Sequence, residues 1–140
     1  MTLVIDASVA VKWLVDEEFG EHALRVRTHD RPHVAPQHFV VEVCGAIRKK
    51  LREGELNSDQ LAVVLRAMAI LPITEYPVVP LLPVAMEIAL TFDRSIYDAF
   101  YVALAHQLGC QFVTADRKLY NALGHVYPET MLWIEDVPAP

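Results

Sequence analysis

Blocks of apolar residues, each closed by a polar or turn-forming group, divide this chain into short segments of alternating character. Leu3-Val4-Ile5 is a β-prone run that stops at Asp6, and Val9, Val11, Trp13 and Leu14 then form an apolar helical pattern up to Asp16-Glu17-Glu18. Residues 20–29 read as a second, polar helix with Ala23, Leu24 and Val26 turned inward, and Pro32 and Pro36 bracket a very short strand at Val34-Ala35. From Gln37 to Glu53, residues Val40, Val43, Cys44, Ile47 and Leu51 make a helical stripe, with Gly54 suited to its C-terminal end. Asn57 and Ser58 offer caps for a helix to about Leu71, which Pro72 ends.

Ile73 to Val79 is β-prone, and Pro80 and Pro83 fit only the start of a following helix that runs to about Phe92. Ile96 to Leu108 predicts a very apolar helix ended by Gly109. Gln111-Phe112-Val113-Thr114 is the next strand, Asp116 to Leu123 a short helix, and Met131 to Ile134 a last strand. Four or five short strands with few polar residues, alternating with helices, predict an α/β domain of three layers, α/β/α, around a short and mainly parallel sheet. No repeat, linker or low-complexity stretch divides the chain, so residues 1–140 are expected to form a single domain.

Composition narrows the class. Hydrophobic residues are 54% of the 140 and charged residues 21%, with a mean hydropathy of +0.27, which excludes a disordered tail, a fibre or a charged coiled coil. The apolar stretches are interrupted by Arg66, Pro77, Pro80, Pro83 and Glu87, short of the roughly 20 residues a membrane span requires. The start has no basic leader, so a cytoplasmic location is the default expectation. Cys44 and Cys110 lack zinc-site spacing and read as two reduced core thiols. The net charge of −6, from 12 basic and 18 acidic residues, argues on its face against a nucleic-acid binder.

The position of the acids changes that picture. Asp6 is the only charged residue from Met1 to Val11, Glu42 the only one from Gln37 to Ile47, and Asp98 the only one from Ser95 to Ala115, with Asp116 next. An acid alone in an apolar segment is costly without a partner. Asp6 and Asp116 could serve as helix caps, and Ser95 with Asp98 matches a capping box. Glu42 resists a capping role because it lies inside its helix, with Phe39, Gly45 and Ala46 as helical neighbours. Asp6 and Asp116 each follow an apolar strand, so both fall at carboxyl ends of strands, where an open parallel sheet forms its ligand crevice. Carboxylates gathered there repel one another unless a cation neutralises them, and oxygen-only donors suit Mg²⁺ or Mn²⁺. A hard cation on carboxylates is equipment for phosphodiester hydrolysis. Glu87 and Asp93, by contrast, sit beside Arg94 and other polar groups and read as surface.

Four segments in order resemble the PIN-domain nucleases, and among them the VapC-type ribonuclease toxins of bacterial toxin–antitoxin pairs. They are Leu3-Val4-Ile5-Asp6-Ala7-Ser8, Glu42 within Val40-Val41-Glu42-Val43, Tyr97-Asp98-Ala99-Phe100-Tyr101-Val102-Ala103-Leu104-Ala105, and Phe112-Val113-Thr114-Ala115-Asp116-Arg117-Lys118-Leu119. The resemblance implies that Asp6, Glu42, Asp98 and Asp116 are a metal-binding and catalytic quartet, that Thr114 orients a carboxylate or water beside it, and that Ser8 is a weaker member. It further implies dependence on Mg²⁺ or Mn²⁺, an RNA substrate, homodimers and a cognate VapB-type antitoxin whose C-terminal segment blocks the acidic groove. One position departs from the pattern: many relatives carry Asn four residues after the glutamate, where this chain has Ala46.

Arg48, Lys49, Lys50 and Arg52 form the one dense basic cluster, either a solvated face complementing the helix dipole or a contact to RNA phosphates. The six histidines show no metal-site spacing, and Trp13 and Trp133 read as core or dimer contacts. Two other functions fit parts of the pattern. One is a PIN-like binding module that has lost catalysis. The other is phosphoryl transfer through Asp6 as nucleophile, disfavoured by Ser8 where a second acid is expected.

Overall fold

A computed structural model of the chain describes residues 2–139. Five strands form one all-parallel sheet: β1 (Leu3–Ile5), β2 (His33–Pro36), β3 (Ile73–Tyr76), β4 (Gln111–Thr114) and β5 (Met131–Trp133). Their order is β3-β2-β1-β4-β5. Among the described residues seven helices flank the sheet: α1 (Ala7–Leu14), α2 (Gly20–Arg27), α3 (Phe39–Arg52), α4 (Ser58–Ala69), α5 (Leu82–Phe92), α6 (Ile96–Leu108) and α7 (Arg117–Leu123). This is the expected α/β/α arrangement. Two strand orders diverge from β1: the chain moves outward through β2 and β3, then returns to build β4 and β5 on the other side. The switch point therefore lies between β1 and β4, whose Ile5 and Val113 are in register. Open parallel sheets bind ligands at the carboxyl ends of strands flanking such a switch.

Burial explains why the central strands lack polar alternation. Leu3, Val4 and Ile5 are all buried, as are Phe112, Val113 and Thr114, because helices cover both faces of the sheet. Helix α6 is the most enclosed, with an unbroken buried run from Ala99 to Ala105, and it lies against α5, β1, β2 and β4. The Tyr101 ring stacks on Phe112 of β4 at 5.2 Å and 10°, fixing the helix to the sheet one turn beyond Asp98.

Several element boundaries shift from the sequence expectation. Helix α2 stops at Arg27, and the strand begun at Ile73 ends at Tyr76, where Pro77 removes a donor. Val79–Leu81 forms a separate 3₁₀ turn before α5 instead of continuing the strand, and a second 3₁₀ turn takes Ile134 from the end of β5. On α3 the buried face is Phe39, Val43 and Ile47, while Val40 and Cys44 are exposed, so Cys44 is not a core thiol. Cys110 is buried. Trp133 packs in the core and Trp13 is half-buried, its Nε1 donating to the Ala23 carbonyl at 2.7 Å.

Phe112 has no exposed surface and underlies the Tyr101 stack. Phe112→Ala leaves a cavity beneath α6 and is expected to cost about 3–5 kcal/mol, measured by denaturant unfolding monitored by circular dichroism.

Candidate active site

The site begins with a carboxylate that the fold buries. Asp6 follows β1 as the N-cap of α1, and it makes no side-chain cap bond. Its Oδ2 instead accepts two hydroxyl hydrogen bonds, from Thr114 Oγ1 at 2.6 Å and from Ser8 Oγ at 2.8 Å. Each hydroxyl is itself oriented by a backbone donor, Thr114 by the Asp116 N–H (3.0 Å) and Ser8 by the Ala115 N–H (3.1 Å). A hydroxyl that accepts from an N–H keeps its proton for another acceptor, so both protons are directed at Asp6. The backbone of β1 joins that of β4 at the same place, with the Asp6 N–H donating to the Val113 carbonyl at 3.1 Å. Asp6, Ser8, Thr114 and the turn after β4 thus form one hydrogen-bonded unit at the switch point.

The other three acids approach from helix starts. Glu42 is in the first turn of α3, Asp98 in the first turn of α6, and Asp116 is the N-cap of α7, where its Oδ1 accepts from the Leu119 N–H at 3.2 Å. Ser95 Oγ accepts from the Asp98 N–H at 3.1 Å, the serine half of the capping box. Capping is therefore part of the role of Asp116, absent for Asp6, and supplied to Asp98 by its neighbour.

The charges see one another. Burial pushes the Asp6 carboxyl up to about 7; the Thr114 and Ser8 hydrogen bonds oppose this, and the negative charges of Glu42 and Asp98 add to it. Burial also raises Asp98, with Asp116 and Glu42 adding repulsion and Arg94 opposing it. Tyr101, buried beside this cluster, has its hydroxyl held far above the usual phenol range by burial and by Asp6 and Glu42.

Sequence reasoning passed over two neighbours of the quartet. His38 directly precedes α3 and packs against Tyr97, Phe100 and Tyr101 with ring centroids 5.0–5.5 Å away. Its Nε2 is 2.7 Å from Glu42 Oε1, but off the direction a ring N–H bond requires, so both atoms lack a hydrogen-bond partner. The i, i+4 spacing of His38 and Glu42 was the available signal. Arg94, named in the sequence only as a neighbour of Glu87 and Asp93, lies near enough to Asp98 for its charge to oppose the rise of that carboxyl. Glu87 and Asp93 are exposed, as expected.

The basic cluster divides. Lys50 is held by Glu17 (2.6 Å) and Glu55 (3.1 Å), and Glu17 also binds Lys12 at 2.9 Å, a network that ties the end of α3 to α1. Lys49 lies 3.9 Å from Glu53 and is well exposed; Arg48 and Arg52 are exposed on the same helix. Ala46 borders a shallow groove that runs from Ser8 past Glu17 to Lys49 and Lys50. A larger groove, lined by Phe39, Val40, Leu65, Met68, Leu71 and Ile73, lies apart from the acids between α3, α4 and β3.

As donors, the quartet offers only oxygens, and two of its carboxyls are pushed up by burial and mutual repulsion that a cation would relieve. Among the described residues no three His, Cys, Asp or Glu side chains form a ready-made cage. An open arrangement of this kind suits Mg²⁺ or Mn²⁺, which retain waters and need few protein ligands, and the donor set fits such an ion.

A family model for the PIN domain matches residues 3–123. The chain is 33% identical over 123 residues to ribonuclease VapC12 of Mycobacterium tuberculosis, covering 88% of this chain and 93% of that protein. It is 32% identical to ribonuclease VapC3 of Pyrobaculum aerophilum, over 85% and 92% of the two chains. With that family match and those identities, the chain belongs to the PIN-domain family. Solved structures agree in fold. The crystal structure of Mycobacterium tuberculosis VapC20, a sarcin–ricin-loop-cleaving toxin, superposes with a TM-score of 0.66 at 16% identity, over 86% of this chain and 95% of that one. A toxin–antitoxin complex from Klebsiella pneumoniae gives 0.67 at 11% identity, over 97% and 100%.

The raised Asp6 sets a pH dependence. A carboxyl whose pKa is higher in the folded state binds its proton more tightly there, so its stabilisation is complete below about 3.8 and is lost as pH rises toward 7. Without divalent metal, the protein is expected to lose stability over that window. Asp6→Asn should remove this loss and melt higher than the parent at pH 7.5, by up to roughly 4 kcal/mol at about 1.4 kcal/mol per pH unit. Thermal melts of both proteins from pH 4 to 8 in EDTA check this; parallel curves would refute it.

Proposed function

We propose that this chain is a single PIN domain acting as a metal-dependent endoribonuclease, the toxin of a toxin–antitoxin pair. The observation that carries the reading is the buried Asp6 carboxyl at the switch point, braced by two oriented hydroxyls and near enough to Glu42 and Asp98 to feel their charge. The ribonuclease names of relatives that match nearly the whole chain support it.

In this reading Asp6, Glu42, Asp98 and Asp116 hold the Mg²⁺ or Mn²⁺. When bound, that ion supplies charge stabilisation at the phosphate and lowers the pKa of a coordinated water. Thr114 and Ser8 keep the Asp6 carboxylate in one orientation, because each hydroxyl is fixed by a backbone N–H. One carboxylate of the quartet would also accept the proton released from the attacking water. Buried α6 and the Tyr101–Phe112 stack keep Asp98 in register with β1 and β4.

Substrate contact follows from charge. Arg48, Lys49 and Arg52 lie along the exposed side of α3 and are the members of the basic cluster suited to RNA phosphates, whereas Lys50 is engaged in ion pairs. The protein partners of this reading are a VapB-type antitoxin lying across the acidic groove and a second copy of the chain. Exposed Val40 and Val41 on α3, together with Leu82, Met86 and Leu90 on α5, give such partners apolar surface to cover. Among the described residues no helix is long and apolar enough to cross a membrane, in keeping with a cytoplasmic site of action.

The test is cleavage of total RNA by the purified chain with Mn²⁺ or Mg²⁺. Cleavage is expected to stop with EDTA and to fall at least about 100-fold in Asp6→Asn and in Asp98→Asn, with circular dichroism unchanged. Undiminished cleavage by either variant refutes the assigned site. Absence of both cleavage and Mn²⁺ binding by calorimetry would mark the chain as an inactive binding module.

A further inference from the structure

Beside the carboxylates stands one cation that the quartet does not account for. Arg94 occupies the corner between α5 and α6, directly after Asp93, whose left-handed backbone (φ 50°, ψ 49°) ends α5. A non-glycine residue in that region is uncommon, and the turn it makes brings the next side chain round toward the start of α6. The Arg94 N–H closes the corner on the Ala89 carbonyl at 3.2 Å. Arg94 Nη1 reaches the Lys118 carbonyl of α7 at 3.5 Å, the long limit of a hydrogen bond. The guanidinium thus lies between α6, which carries Asp98, and α7, which Asp116 caps.

Its remaining donors are poorly used. Arg94 Nε is buried without a hydrogen-bond partner, and among the described residues no carboxylate lies within 4.0 Å of the guanidinium nitrogens. Arg94 acts on Asp98 through its field alone, holding that carboxyl lower than burial would leave it. A desolvated guanidinium donor without an acceptor is costly. A fixed cation also opposes the approach of a divalent ion to the same carboxylates. The second cost is relieved by one kind of ligand: an anion that reaches the crevice together with the metal and meets the outer nitrogens of the guanidinium. A guanidinium fork matches phosphate oxygens in this way.

We infer that Arg94 is a substrate-binding residue of this crevice, its guanidinium taking a non-bridging phosphate oxygen of the RNA strand on the α6–α7 side of the carboxylates. The assignment rests on the ribonuclease reading and gives the strand a second anchor, distinct from α3. Arg94→Gln removes the charge and keeps a polar side chain. Arg94→Lys keeps the charge and loses the fork.

The decisive measurement is binding of a mixed-sequence single-stranded RNA oligonucleotide to the native chain, with Ca²⁺ in place of Mn²⁺ so that a divalent ion is present without cleavage, across a salt series. Adding Arg94→Gln is expected to weaken binding about tenfold and to make the dependence of log affinity on log salt shallower by about one contact. Adding Arg94→Lys should restore the salt slope but not the full affinity. In the otherwise native chain, Arg94→Gln should raise KM for RNA more than it lowers kcat, and calorimetry should find Mn²⁺ binding as tight as in the parent or tighter. Equal RNA affinity and slope with and without Arg94, in variants with unchanged melting, overturn the assignment. So does loss of Mn²⁺ binding in Arg94→Gln, because Arg94 would then act only by positioning Asp98. If the native chain cleaves no RNA yet Arg94 still sets the slope, the ribonuclease reading fails and the phosphate contact stands.

Discussion

The two hydroxyl hydrogen bonds on Asp6 Oδ2 are the constraint around which the rest of the site is arranged. A carboxylate at the end of a fully buried strand is expensive to keep charged, and burial is the largest influence on its pKa. The protein offsets part of that cost with Ser8 from the start of α1 and Thr114 from the end of β4. The same hydroxyls accept from Ala115 and Asp116 N–H groups. One side chain therefore locks the exits of two adjacent strands together, and the direction in which α7 leaves the sheet is tied to the orientation of Asp6. Removing either hydroxyl would loosen the carboxylate and leave a backbone N–H without its acceptor.

Like charges crowded at one sheet edge need further compensation, and the topology supplies it. Asp6 and Asp116 are the N-caps of α1 and α7, and Glu42 and Asp98 lie in the first turns of α3 and α6. Four helix N-termini thus point their partial positive charge at the four acids, each worth about 0.3–1 kcal/mol to an adjacent anion. This follows from the parallel sheet: a helix that follows a strand starts at that strand's carboxyl end, and α6, which leads into β4, also begins at that edge. The helix ends soften the repulsion without cancelling it, and neighbouring acids still add to the upward push that burial gives Asp6 and Asp98.

The sheet and the isolation of the four acids could be read in the residues because both depend on local pattern. Short buried strands between helices give unbroken apolar runs, and a lone acid in such a run stands out. What escaped had its cause in tertiary packing. The expected α3 stripe and the buried face share Val43 and Ile47, but Val40 and Cys44 are apolar yet exposed, and Phe39 takes their place because of what packs against it. Apart from its spacing to Glu42, His38 carries no signal in its local sequence, and only the fold sets its ring among Tyr97, Phe100 and Tyr101 and beside Glu42. Arg94 shares its helix side with exposed Glu87, and only the left-handed turn at Asp93 carries it toward Asp98. Lys50 belonged to a basic run in sequence, but Glu17, 33 positions earlier, neutralises it.

These placements resolve the difficulty posed by a net charge of −6. Without the four site acids, 14 of the 18 acids remain against 12 bases, so the rest of the protein is nearly neutral. Several of the bases are internally spent, Lys12 and Lys50 on Glu17 among them. A polyanion approaching this protein meets the field of the crevice and its rim, because at physiological salt charges more than about 8 Å away are screened. At that range the sign depends on whether a divalent cation sits on the carboxylates and on the few arginines and lysines that no acid has claimed. An acidic protein can therefore handle a polyanion when its negative charge is concentrated where a metal reverses it. On the proposed function, the same concentration makes the metal-free crevice repel that polyanion, so that substrate binding is coupled to metal binding by electrostatics.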